Sequence, residues 1–269
     1  MASIEIKGIT KEFQLEDGSL LALDDISLTV GDNEFVTLLG PSGCGKSTLL
    51  RLVADILQPT SGEILLHGVS PQIARERLLY SFVFQNPVMM PWRSVIENVS
   101  LPLEIVGRDN IKDVTNSPEE LLDLVGLKGF ENANPDQLSG GMKQRAAIAR
   151  SLLLNPKVLL MDEPFGALDE ISRDRMNLEL LRIWQETDAA VFFVTHSIEE
   201  AVFLSDRVIV LSPRPGTIRA NVVIDIPRPR VLEIKQSEQC FRFGAVLRQA
   251  LAEGVSSSEP DDVNEDVMS

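Results

Sequence analysis

The stretch EFVTLLGPSGCGKSTLLRLVADIL, residues 34–57, decides the fold. Its opening, EFVTLLG, is rich in β-branched and apolar residues and predicts a strand that runs into glycines. Its close, KSTLLRLVADIL (46–57), carries apolar residues at helical spacing. Between them, Gly40, Pro41, Ser42, Gly43, Cys44, Gly45, Lys46 and Ser47 fit G-x-x-x-x-G-K-[ST] in the strand-to-helix context that this pattern requires. The glycines let the backbone wrap phosphates with its N–H groups inward, and the helix N-terminus adds partial positive charge. Lys46 is expected to reach the β- and γ-phosphates. The Ser47 hydroxyl, beside Thr48, is expected to ligate Mg²⁺. The unit predicts binding of a nucleoside triphosphate.

Outward from this unit, SIEIKGIT (3–10), ISLTV (26–30), EILLHG (63–68) and YSFVFQ (80–85) read as strands. From Val95 to about Gly126 the pattern turns helical, broken by VGRDN and NSPEE. Then come a helix opened by Ser139, a strand VLLMDE (158–163), a helix over Glu170–Glu186 and a strand AVFFVTH (190–196). RVIVL (207–211) and TIRANVVIDI (217–226) read as sheet, before a proline-rich link and a helix over FRFGAVLRQALAE (241–253). Short apolar strands alternating with helices indicate an α/β core with a mainly parallel sheet covered on both faces, interrupted by a helical insert at 88–150.

VLLMDEP (158–164) is an apolar strand ending in two carboxylates. Both can turn towards a nucleotide at the strand end: Asp162 to hold Mg²⁺ through its water shell, Glu163 to polarise the attacking water as general base. Gln85 stands at a strand–loop boundary, where its amide can orient water or ligate the metal. His196 ends a strand at the place where side chains meet the ligand crevice of an open α/β sheet, which suits contact with the γ-phosphate. The other histidine, His67, precedes Gly68 in a turn and is expected at the surface.

QLSGGMKQRAAIAR (137–150) poses a separate question, because Ser139, Gly140 and Gly141 opening a helix make a second anion receptor. One phosphate loop encloses its nucleotide from one side only. The simplest arrangement is head-to-tail, with the Ser139 segment of each chain closing over the nucleotide held by a second copy, so that two chains enclose two ATP molecules.

Together GPSGCGKST, Gln85, LSGGMKQR, VLLMDEP, ALD (167–169) and His196 resemble the nucleotide-binding subunit of an ATP-binding cassette transporter, over roughly residues 3–225. The resemblance implies an ATPase domain over 1–226: a P-loop NTPase core with a mixed, mainly parallel sheet, an N-terminal antiparallel β subdomain, and the inserted helical subdomain carrying LSGGMKQR. It implies ATP and Mg²⁺ as ligands, Ser139 and Gly141 acting across a sandwich dimer, Asp169 communicating over that interface, and Phe13 stacking on adenine. Its partners are transmembrane permease subunits and, indirectly, a periplasmic or surface substrate-binding protein. The place of work is the inner face of the cell membrane. MPWRSVIENVSLPLEIVG (90–107) and LSPRPGTI (211–218) further resemble the ATP-binding subunits of bacterial nitrate, sulfonate and taurine importers. Met89, Met90 and Trp92 suit either a docking groove for a short permease helix, near Gln85–Trp92, or packing within the helical insert.

Composition narrows the alternatives. Net charge is −15 over 269 residues, which disfavours extensive contact with nucleic acid. Part of that acidity, Glu259 to Asp266, sits in a tail (254–269) expected to be solvated and disordered. Cys44 and Cys240 make no disulfide framework, which fits a reducing cytosol. The longest uncharged run, LLYSFVFQNPVMMPW (78–92), is too short to span a bilayer. A GTPase would need a guanine-reading NKxD loop, which is absent. The remaining rival is a soluble ATPase of the same superfamily acting outside transport.

Overall fold

The computed structural model describes residues 2–16, 18–107, 116–166 and 168–253. The acidic tail, Ala167 of the ALD stretch and part of the VGRDN break lie outside the described residues.

The central sheet has six strands: β3 (Phe35–Leu39), β5 (Tyr80–Val83), β6 (Val158–Asp162), β7 (Ala190–Thr195), β8 (Arg207–Leu211) and β9 (Ile218–Val223). They lie in the order β5-β6-β7-β3-β8-β9; the first five run parallel and β9 pairs antiparallel with β8. Alternation along the strands divides the core between the two faces. In β7, Val191 and Phe193 enter one cluster, with Phe35, Phe165 and the helices α3 (Val95–Val106), α4 (Pro118–Leu124), α5 (Gly140–Leu152) and α6 (Glu170–Gln185). Ala190, Phe192 and Val194 enter the other, against α1 (Lys46–Val53) and a second, antiparallel sheet.

That second sheet is three-stranded, in the order β2-β1-β4, formed by β1 (Ala2–Leu15), β2 (Gly18–Gly31) and β4 (Ser61–Leu66). The first two strands run well past the segments 3–10 and 26–30 that alternation marks in the sequence. Register shifts between Ile6 and Ile9, Ile9 and Lys11, and Lys11 and Glu12 explain why: each bulge breaks the period of two on which that reading depends.

Two short helices, α2 (Pro71–Glu76) and α7 (Ile198–Leu204), were not foreseen. Each has a local start signal: Ser70 accepts from the Ile73 N–H ahead of a first-turn proline, and Ser197 accepts from the Glu200 N–H at 3.3 Å. A third difference concerns His67, which is half-buried rather than superficial, with Nε2 enclosed and bonded to nothing among the described residues.

The last helix, α8 (Glu238–Ala252), packs on α7 and shares a third cluster with Leu39, Val208 and Val210. Its link to the core is an arginine clasp. Buried Arg230 donates to the carbonyls of Val202, Phe203 and Ser205 at 2.9–3.2 Å, taking up acceptors that a helix end leaves orphaned, and to those of Ile224 and Ile226. Arg228 lies 4.3 Å over the Trp184 ring and bonds Asp206.

Candidate functional site

Residues that follow four of the five parallel strands, β3, β5, β6 and β8, line one cleft of about 370 Å³, the crevice that open α/β sheets offer at their carboxyl ends. Beyond β3 lies the loop 40–45, and Gly43 and Gly45 adopt φ of +77° and +105°. A Cβ at Gly45 would meet Leu23 Cδ2 at 2.6 Å, so the close approach of β2 also demands glycine there. The loop opens α1 with Lys46 only 4% exposed; its Nζ donates to the Gly40 and Pro41 carbonyls at 2.8 and 2.9 Å. Cys44 is buried, which pushes its thiol up and leaves it a packing residue. Ser42, Gly43, Gly45, Lys46, Ser47 and Thr48 line the cleft, with Phe13 and Leu20 of the β1–β2 hairpin on one side.

β6 delivers the carboxylates. Asp162 is buried, which pushes its carboxyl up from 3.8, and it accepts a hydrogen bond from the Ser47 hydroxyl at 2.7 Å. Glu163 follows at φ +42°, a left-handed conformation that non-glycine residues adopt at a cost of about 1–3 kcal/mol. Two backbone bonds hold it there, Glu163 N–H to Val194 at 3.0 Å and Gly166 N–H to Glu163 at 3.1 Å. The turn aims the carboxylate into the cleft, with Oε1 4.0 Å from Lys46 Nζ and Oε2 3.0 Å from His196 Nδ1 at the end of β7. Gln85, past the end of β5, lines the same cleft.

Ser139, Gly140, Gly141 and Asp169 do not line it, nor does His196, which reaches it only through Glu163. Ser139 caps α5 by accepting from the Met142 N–H, and Asp169 caps α6 by accepting from the Ser172 N–H, a bond that holds its carboxyl below 3.8. A Cβ on Gly141 would lie 3.6 Å from Leu168 Cδ2, so these segments are neighbours at the surface of one chain. Three cleft residues escaped the sequence reading: Leu20 and Ala22 of β2, and Arg214 in the hairpin between β8 and β9. Arg214 falls within LSPRPGTI, which marks a turn and carries the importer resemblance but says nothing about what the turn packs against.

The family model of the ABC transporter matches residues 23–166. The chain belongs to the ABC transporter family. It is 42% identical to a nitrate import ATP-binding protein of Synechocystis sp. over 92% of this chain and 94% of that one. It is 38% identical to an aliphatic sulfonates import ATP-binding protein of Bacillus cereus over 93% of this chain and all of that one. Among solved structures, the dimeric structure of the ABC transporter cassette MJ0796 superposes with a TM-score of 0.72 at 32% identity, covering 83% of this chain and 100% of that one. A second structure of that cassette, also dimeric, holds ADP and phosphate. This chain is accordingly an ABC ATPase, an enzyme coupled to transport, and no helix among its described residues is long and apolar enough to cross a membrane.

The donor set of this ABC ATPase fits Mg²⁺ as well as ATP. Ser47 and Asp162 present a hydroxyl and a carboxylate already in register, with the Gln85 amide in the same cleft. These are hard oxygen ligands, too few for a protein-only cage and suited to a cation that keeps waters and substrate oxygens. No cluster of three or more His, Cys, Asp or Glu among the described residues offers a competing metal site.

Proposed function

We propose that this chain is the ATP-hydrolysing subunit of a bacterial-type importer, working as a head-to-tail dimer that drives a transmembrane permease for a small anion such as nitrate, a sulfonate or taurine. The observation that carries the reading is Glu163, clamped between Lys46 and His196 at the end of β6 and one residue from the Asp162–Ser47 pair. The 40–48 loop binds the phosphates of ATP, and Phe13 offers its ring to adenine across the cleft. Ser47 and Gln85 would hold Mg²⁺ directly and Asp162 through water, and the bound ion would supply charge neutralisation at the phosphates. Glu163 takes a proton from the attacking water, and His196 orients Glu163 and contacts the γ-phosphate. Lys46 exchanges loop carbonyls for β- and γ-phosphate oxygens.

Ser139, Gly140, Gly141 and Asp169 act across the dimer. Ser139, Gly140 and Asp169 are exposed and Gly141 half-buried, and this, with their absence from their own chain's cleft, supports the arrangement, as does the dimeric state of the MJ0796 cassette. The permease docks near Gln85–Trp92, where Phe84, Val88 and Trp92 are exposed, Trp92 by 76%, while Met89 packs inward on the core. An exposed apolar strip of this kind is suited to a partner. The substrate class rests on the nitrate and sulfonate relatives.

The test is Glu163→Gln, which keeps the shape and the bond to His196 and removes the base. Turnover of Mg-ATP is expected to fall roughly 10²–10⁴-fold while ATP binding persists and light scattering reports a dimer. Turnover within threefold of the parent would overturn the base assignment, and a mass of one chain would overturn the sandwich.

A further inference from the structure

The parallel strands bring chemistry to the cleft: the phosphate loop after β3, Gln85 after β5 and Glu163 after β6 line it, while Asp162 bonds Ser47 and His196 after β7 bonds Glu163 from beside it. What β8 places there is Arg214. The hairpin that carries it is tied down on every side. The Ser212 hydroxyl donates towards the Pro213 and Pro215 carbonyls at 2.9 Å and accepts from the Thr217 N–H at 2.9 Å. Gly216 exchanges backbone bonds with β2, donating to Ala22 and accepting from Asp24, both at 3.0 Å. A Cβ on Gly216 would lie 2.2 Å from the Cys44 carbonyl, so the hairpin backbone rests directly on the phosphate loop.

The guanidinium so positioned is underused. Nε and Nη2 both donate to one acceptor, the Gly43 carbonyl, at 3.2 and 3.0 Å. Nη1 bonds nothing, and no carboxylate lies in ion-pair range among the described residues. Several exposed arginines of this acidic chain lack a carboxylate partner, but among them Arg214 is the one that lines the cleft. It stands at the middle of a loop whose N–H groups and Lys46 form an anion receptor, and a guanidinium is suited to bidentate contact with phosphate oxygens.

We propose that Arg214 is a nucleotide-binding residue, contacting the phosphate chain of the bound nucleotide from the hairpin side, opposite Lys46. The proposal rests on the nucleotide reading of the cleft given above. On binding, the guanidinium trades the Gly43 carbonyl for phosphate oxygens, which adds affinity for ADP and ATP alike.

Calorimetric titration of the full chain with Mg-ADP, over a series of salt concentrations, tests this on the parent, Arg214→Gln and Arg214→Lys. Thermal unfolding without nucleotide serves as the control for folding. Arg214→Gln is expected to bind ADP about tenfold more weakly, the scale of a lost charge-assisted hydrogen bond, with a shallower salt dependence. Arg214→Lys is expected to keep the parent's salt dependence. Affinity of Arg214→Gln within twofold of the parent would overturn the proposal. So would equal losses in both variants with the salt dependence unchanged, which would make the arginine a brace for Gly43. Failure of the parent itself to bind ADP would instead remove the nucleotide reading, and this proposal with it.

Discussion

Replacing Gly216 by alanine tests whether the hairpin and the phosphate loop form one packed unit. The new Cβ would stand 2.2 Å from the Cys44 carbonyl oxygen, 3.1 Å from Leu23 Cδ2 and 3.4 Å from the Ala22 carbonyl. Ordinary carbon–oxygen contacts begin at about 3.3 Å, so the hairpin must retreat by roughly 1 Å. The atom in the way belongs to the backbone of a loop pinned by glycines, and it cannot rotate aside as a side chain would. Retreat stretches the two 3.0 Å bonds to Ala22 and Asp24. Weakening two backbone bonds worth about 1 kcal/mol each, with overpacking of about 1–3 kcal/mol, gives a loss of about 2–4 kcal/mol. For a chain of this size that is roughly 5–12 °C in unfolding midpoint, read by calorimetry. Gly140→Ala is the matched comparison, because its Cβ would meet nothing within 4 Å and its φ is ordinary; it should leave the midpoint in place. A Gly216→Ala midpoint within 2 °C of the parent would refute the packing argument.

Two further outcomes follow from the same contacts. Arg230→Met fills similar volume but strands the carbonyls of Val202, Phe203 and Ser205 at the end of α7. Denaturant unfolding should show a loss of about 3 kcal/mol or more, and an unchanged midpoint would mean that water replaces the clasp. Glu97 and Glu120 have carboxyls held below 4.5 by the backbone N–H groups of Ser94 and Ser117, which each also donates through its hydroxyl. A depressed carboxyl stabilises the fold above its ordinary pKa, and that contribution disappears as pH falls through the folded value. The double variant Glu97→Gln, Glu120→Gln should therefore unfold at lower temperature than the parent at pH 6 and lose less on acidification towards pH 3. Parallel pH profiles would contradict the capping account.

The fold was legible where local sequence and tertiary role coincide. EFVTLLGPSGCGKST states strand, turn and helix in order, and VLLMD and AVFFV are continuous apolar runs because strands buried on both faces have no polar side to show. Legibility fails where pairing partners decide conformation. Residues 11–15 and 18–25 form strand despite bulges that scramble alternation, because β1 and β2 pair with each other along this length. The short helix α7 offered a serine cap and too few residues for a period to emerge. At the site, each residue at a strand end was readable from its own strand. Arg214 was not, because its meaning arises only when a hairpin near the C-terminal side of the core folds back over a loop 171 residues earlier.

A chain of contacts of the same long-range kind joins the cleft to the surface. Arg173, in the first turn of α6, donates from Nη2 to the Leu168 carbonyl at 2.9 Å, and its Nε stands 3.5 Å from Glu200 Oε1. Glu200 is buried in α7, which pushes its carboxyl up, and its other oxygen accepts from the Thr195 hydroxyl, one residue before His196. Thr195 in turn accepts from the Ser197 N–H at 3.0 Å. A single buried carboxylate thus ties the surface segment Leu168–Asp169 to the strand end that carries His196. Lys235 of the C-terminal extension bonds Asp174, next to Arg173, and lies 5.1 Å over the Phe203 ring of α7. The extension therefore braces both helices that leave the site.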